Sequence, residues 1–131
     1  MPKIIIVSGP VIVENGRVLL NKHGSTSFWK FCGGRVEGDD TNLINSAERE
    51  AKEEMGIKIE IKDENPFITF TRQQAPDGAV DIILVHFLAK RIGNIKPGTE
   101  IKQWAWHDVN NLPPDLGINI LPALRYFKFI K

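Results

Sequence analysis

Between Gly33 and Ile57 the chain reads GGRVEGDDTNLINSAEREAKEEMGI: a glycine pair, a polar loop, then an acidic helix halted by another glycine. No other stretch constrains the fold as tightly. Asp40 or Thr41 can cap the helix, since a short side-chain oxygen accepts a bond from an orphan amide. Gly56 can end it in a left-handed conformation. At roughly 100° per residue, Leu43, Ile44, Ala47, Ala51 and Met55 share a buried side. Glu48 and Lys52 form a solvated pair on the far side. Glu50 and Glu54 lie one turn apart at the edge of the apolar side, with Glu53 beside them and Arg49 one turn before Glu53. Carboxylates crowded against a buried face repel one another and lose hydration, so a cation should compensate them. Oxygen ligands favour a hard ion such as Mg²⁺, with Mn²⁺ the alternative.

Alone, a run such as Glu-Arg-Glu-Ala-Lys-Glu-Glu is as well explained by an ordinary solvated helix. Its combination with Gly33-Gly34 upstream and Gly56-Ile57 at its end is more specific. The stretch resembles the signature box of the Nudix hydrolases, G-x5-E-x7-R-E-U-x-E-E-x-G-U, with U a bulky aliphatic residue. Arg49 to Ile57 matches the second half, with Ala51 a small first U. The first half departs twice: Asp40 stands where the box has Glu, and eight residues rather than seven separate it from Arg49. Cys32 also replaces a proline common before the glycines.

The resemblance implies an α/β/α sandwich, the Nudix fold, with a mixed sheet. It implies Mg²⁺-dependent hydrolysis of a pyrophosphate linkage in a nucleoside diphosphate-X substrate. Metal ligands would be Glu50 and Glu54, with Glu53 sharing in that or positioning water, and a carbonyl of Gly33 or Gly34 completing the set. Glu50 could instead serve as the base. Arg49 would brace the carboxylates through Glu53 or Glu37. Glu100, in the loop after Pro97-Gly98-Thr99, is a further candidate for metal or water, against the plainer reading of an exposed acid. By charge, Arg35, Arg72 and Asp81 are candidate substrate contacts, as is Arg17. Trp29, Trp104 and Trp106 could stack on a base, but core packing explains them as well. His86 fits a satisfied core histidine, His23 a loop residue, and Cys32 a buried thiol without activation.

The rest of the chain supports one domain over residues 1–131. Charged residues make up 25% and hydrophobic ones 42%, as in an ordinary soluble globule. Seventeen basic and sixteen acidic side chains leave +1, too little for broad electrostatic binding to nucleic acid or membrane. A single cysteine excludes an intrachain disulfide and suits a reducing cytosol. The apolar run near Met1 is too short for a signal peptide, and Ile82 to Ala89 is too short to span a bilayer.

Strands are expected over Ile4 to Val13, interrupted at Gly9-Pro10, and over Val18 to Leu20, joined by an Asn15-Gly16 hairpin turn. Ile57, Ile59 and Ile61 alternate with polar residues as in a strand with one wet face. Phe67 to Thr71 follows, then a loop from Arg72 to Gly78. Ala79 to Ala89 reads as a central strand covered on both faces, and Ile101 to His107 as another. Asp108 can cap a turn. Ile120, Leu121, Leu124 and Phe127 line a last helix, with Pro122 in its first turn. Two helices that need burial should cover opposite sheet faces.

Nucleoside triphosphates, dinucleoside polyphosphates, ADP-ribose and a capped RNA end all suit such a site, and a homodimer is compatible with it. The rival to an enzyme is a Nudix-fold module that senses a nucleotide without turnover. Such a module would be expected to lose box glutamates, and this chain keeps all three. A plain structural domain with an acidic helix is the third reading.

Overall fold

The computed structural model describes residues 3–131. Met1 and Pro2, which open the short apolar run noted above, lie outside the described residues. The elements run β1 (Lys3–Glu14), β2 (Arg17–His23), β3 (Gly34–Arg35), α1 (Leu43–Met55), β4 (Lys58–Ile61), β5 (Phe67–Ala75), β6 (Gly78–Ile92), β7 (Ile101–Asp108) and α2 (Ile120–Tyr126). The sheet has the order β4-β6-β1-β2-β7, with β3 on β1 and β5 on β6. Among the named strands only the central pair β1–β6 is parallel, from Lys3↔Val80 to Ile12↔Ala89; the other strand pairs are antiparallel. The sheet is therefore mixed, as expected.

Alternation along β1 sends successive residues to opposite faces. Ile12 joins Ala47, Ala51 and Met55 of α1, with Val85 and Phe87, in one core. Val11 joins Ile120, Ala123 and Leu124 of α2, with Val18 and Leu20, in the other. The two helices thus cover opposite faces, completing the sandwich. The hairpin forms as read: Asn15 and Gly16 both take positive φ (52° and 75°), and Glu14 pairs with Arg17.

Four expectations need correction. Asn42, not Asp40 or Thr41, caps α1, accepting from the Asn45 amide at 2.8 Å; Asp40 is drawn away to Arg49. Gly9-Pro10 does not interrupt β1, whose pairing with β6 runs through both residues. On its other edge β1 pairs only at residues 7–8 and 13–14, so Pro10 falls where no ladder amide is required. The stretch from Arg72 is not a loop: β5 continues to Ala75 and turns only at Pro76-Asp77. Leu121 is 38% exposed, and Ala123 takes its place in the core.

Candidate active site

The site begins where β1 meets the glycine pair. A methyl group on Gly9 would stand 1.9 Å from the Cys32 carbonyl oxygen, and one on Gly34 would stand 2.2 Å from Glu50 Oε1. Only glycine lets the loop press this closely against β1 and α1. β3 then pairs with Val7 and Ser8, and Ser8 Oγ donates to the Leu43 carbonyl at 2.6 Å, tying the start of α1 to the sheet. Gly56 ends α1 with φ 67°. Beyond it, the Lys96 and Gly98 amides donate to the Met55 and Glu54 carbonyls, both at 2.8 Å. These bonds satisfy carbonyls at the helix end and bring the Glu100 loop alongside.

Glu50 and Glu54 are buried, each 7% exposed, as their place at the edge of the apolar face requires. Glu54 accepts from the Gly33 amide at 3.0 Å. Burial raises the Glu50 pKa, and the neighbouring Glu54 charge adds to it. Glu53 is exposed. Arg49 Nη1 lies 3.1 Å from both Glu50 and Glu53, and 3.5 Å from Glu37. Arg49 also grips Asp40 with two bonds, of 2.9 and 3.0 Å. These, with the Glu37 amide and Ser46 Oγ, hold the Asp40 carboxyl well below the usual range. Asp40 therefore anchors Arg49 from the end of the box loop, a role its position alone did not reveal. Arg49 braces the carboxylates through both Glu53 and Glu37.

Glu50, Glu53, Glu54 and Glu100 line one cleft of about 340 Å³. Glu100 is linked to the rest through His23, whose Nε2 is 3.0 Å from Glu100 and 3.9 Å from Glu54. His23, read from the sequence as a loop residue, instead ends β2, whose partner β7 follows Glu100. Among the described residues no three His, Cys, Asp or Glu side chains converge into a closed metal cage. The donor set nevertheless fits a hard divalent ion: two buried, mutually repelling carboxylates, with two more acids on the same cleft.

Glu50 and Glu54 also line a second cavity, of about 640 Å³, on the α2 side of the sheet. Its walls are mainly apolar, with Val7, Phe28, Ile82, Leu84, Leu116 and Ile118 among them. Thr71, Gln73, His86 and Asn119 supply polar groups. Asn119 Nδ2 is 3.5 Å from His86 Nδ1, and burial lowers the His86 pKa to about 3, so that ring is neutral. His86 is the buried histidine expected, though it also faces this cavity. Arg35 is on the lining. Arg72 and Asp81 are not; they pair with each other at 2.6 and 3.1 Å. None of the three tryptophans is on the lining either. Trp29 is buried against His107, Trp106 packs on the α1 core, and Phe28 and Phe31 are the phenylalanines on the lining. Cys32 is a buried thiol, its pKa raised by burial.

The family model of the NUDIX domain matches residues 2–127. The chain belongs to the Nudix family. Its fold is that of MutT-type members of the family. A MutT NUDIX hydrolase from Burkholderia pseudomallei aligns with a TM-score of 0.75 at 22% identity, over 94% of this chain and 97% of that one. An ADP-ribose pyrophosphatase from Streptococcus suis aligns at 0.67 and 21%, over 92% and 87%. A C. elegans Ap4A hydrolase aligns at 0.71 and 19%, over 95% and 95%. At such identities these neighbours establish the fold alone. No curated protein gives a significant sequence match. No helix among the described residues is long and apolar enough to cross a membrane.

Proposed function

We propose that this Nudix hydrolase cleaves a pyrophosphate linkage in a nucleoside diphosphate-X substrate with the help of Mg²⁺, for which Mn²⁺ can substitute. One observation carries the reading: Glu50 and Glu54 sit on both the acidic cleft and the larger apolar cavity. Charged phosphates and an organic group of nucleoside size can therefore lie side by side.

Glu50 and Glu54 would hold the ion, with Glu53, Glu100 and the Gly34 carbonyl as the remaining oxygen donors. Bound there, a divalent ion neutralises phosphate charge and acidifies water. Arg49, held by Asp40, keeps Glu50 and Glu53 oriented. Glu53 is the exposed box acid, free to position or deprotonate the attacking water. Glu50 can share that task, since burial raises its pKa and so its readiness to accept a proton. Arg35, at the cavity rim, is the phosphate contact. Arg72 and Asp81 satisfy each other and are set aside as substrate contacts.

The test is phosphate release over a panel of nucleoside triphosphates, dinucleoside polyphosphates, nucleoside diphosphate sugars and capped RNA. Turnover of at least one class is expected, abolished by chelator and restored by Mg²⁺ or Mn²⁺. Undiminished turnover in chelator would overturn the metal assignment.

A further inference from the structure

The sheet is longer than the helix that covers it. On the α1 face, Phe70, Ile83 and Ile6 form one row across β5, β6 and β1, because Phe70 and Ile6 both pair with Ile83. Arg72, Asp81 and Ile4 form the next row. This face is that of α1, since Ile83 and Val85 pack into the core with Ala47 and Ala51. Beyond the helix the face is bare: Ile4 is 62% exposed, Ile6 38%, Ile68 59% and Phe70 60%. Soluble monomers seldom leave large side chains grouped in this way.

We infer that this bare half of the α1 face is the contact between two copies of the chain, related by a two-fold axis. Two observations select a second copy as the occupant. The first is charge. The two charged side chains in these rows, Arg72 and Asp81, neutralise each other. The patch offers no excess positive charge to lipid headgroups or nucleic acid, and an identical face meets it without repulsion.

The second is shape. The sheet's covered half carries a helix and its bare half does not, so the surface is a step one helix high. A helix is about 10 Å thick, and packed sheets also lie about 10 Å apart. A step of that height fits its own copy turned by a half rotation. The bare halves then stack as in a sandwich, and each α1 lies level with the partner's sheet. A self-complementary patch of this kind closes after two copies. The large cavity lies on the opposite face, so the pairing leaves it open.

Sedimentation velocity across a micromolar concentration series tests the inference. The wild-type chain is expected to sediment as a dimer. Phe70→Arg should raise the dissociation constant at least about thirtyfold, the scale of a central apolar contact. Leu121→Arg, exposed on α2 across the sheet, should leave the dimer intact. Phe70 is exposed, so the fold should survive, which thermal unfolding checks. Ile68→Lys replaces that variant if it does not. A wild-type chain that stays monomeric throughout overturns the inference, and so does a folded Phe70→Arg or Ile68→Lys variant that still dimerises. The readout is mass, so its failure is distinct from failure to find a substrate.

Discussion

The acidic cleft and the apolar cavity are built in different ways. At the acidic end, Arg49, Glu50, Glu53 and Glu54 come from six consecutive positions of one helix. At the apolar end, Val7, Phe28, Gln73, Leu84 and Ile118 come from five separate segments. The first end is fixed by helical periodicity, the second only by the whole topology. On the proposed reading, chemistry is therefore local in this chain, while selection of the organic group is a property of the assembled sheet.

The largest expected effect tests the acidic end. Glu54→Gln keeps a carbonyl oxygen that can still accept from the Gly33 amide, but removes a ligand charge. Turnover should fall on the order of 100-fold or more, with the unfolding temperature nearly unchanged. A loss of only a few-fold would mean that the helix does not carry the chemistry by itself. The apolar end predicts a change of a different kind. Gln73→Ala should shift the ratio of kcat/KM between purine and pyrimidine substrates by roughly tenfold, while chelator sensitivity stays the same. Arg72→Ala, its neighbour on the other sheet face, should leave the ratio alone. The reverse pattern would break the assignment of faces.

A smaller effect separates two carboxylates that share Arg49. Asp40 has a depressed pKa, so its contribution to stability is present above the ordinary aspartate range and is lost as pH falls through the folded value. Glu50 has a raised pKa, so its ionised form costs stability near neutrality, and the cost is relieved as pH falls. In chelator at pH 7, Asp40→Asn should lower the unfolding temperature and Glu50→Gln should raise it. Both differences should shrink toward acid pH in thermal melts. Equal signs at pH 7 would refute the contrast. The smallest effect is at Glu48→Gln, on the solvated face, where stability should stay within about 0.5 kcal/mol and turnover should not change.

Sequence patterns captured what neighbours along the chain decide. The buried side of α1, the Gly56 stop, the Asn15-Gly16 hairpin and the alternation around Ile59 all follow from local periodicity or turn chemistry. The α1 cap was misplaced because Asp40 had a stronger partner in Arg49 than any helix amide. The end of β5 was misplaced because Pro76-Asp77 suffices as a turn and cross-strand pairing carries Arg72 to Ala75 along. Glu100 was legible from the resemblance, but its link to Glu54 through His23 depends on β2 lying beside β7. Phe28 and the stretch Leu116 to Asn119 carry no periodic signal. They reach the cavity because the Trp29 amide and carbonyl bond to Asp115 and Gly117, a contact nearly ninety residues away in the chain.

The glycines at the acidic end bear on how such a chain can diversify. A methyl group at Gly9 or Gly34 would overlap the Cys32 carbonyl or the Glu50 carboxylate. Even the smallest side chain would push the loop off β1 at Gly9 or displace the Glu50 carboxylate at Gly34, whereas Gln73 or Ile118 can change size without such a clash. A library that randomises the apolar wall and spares these glycines samples new substrates at constant chemistry. One that includes them mostly samples inactive proteins.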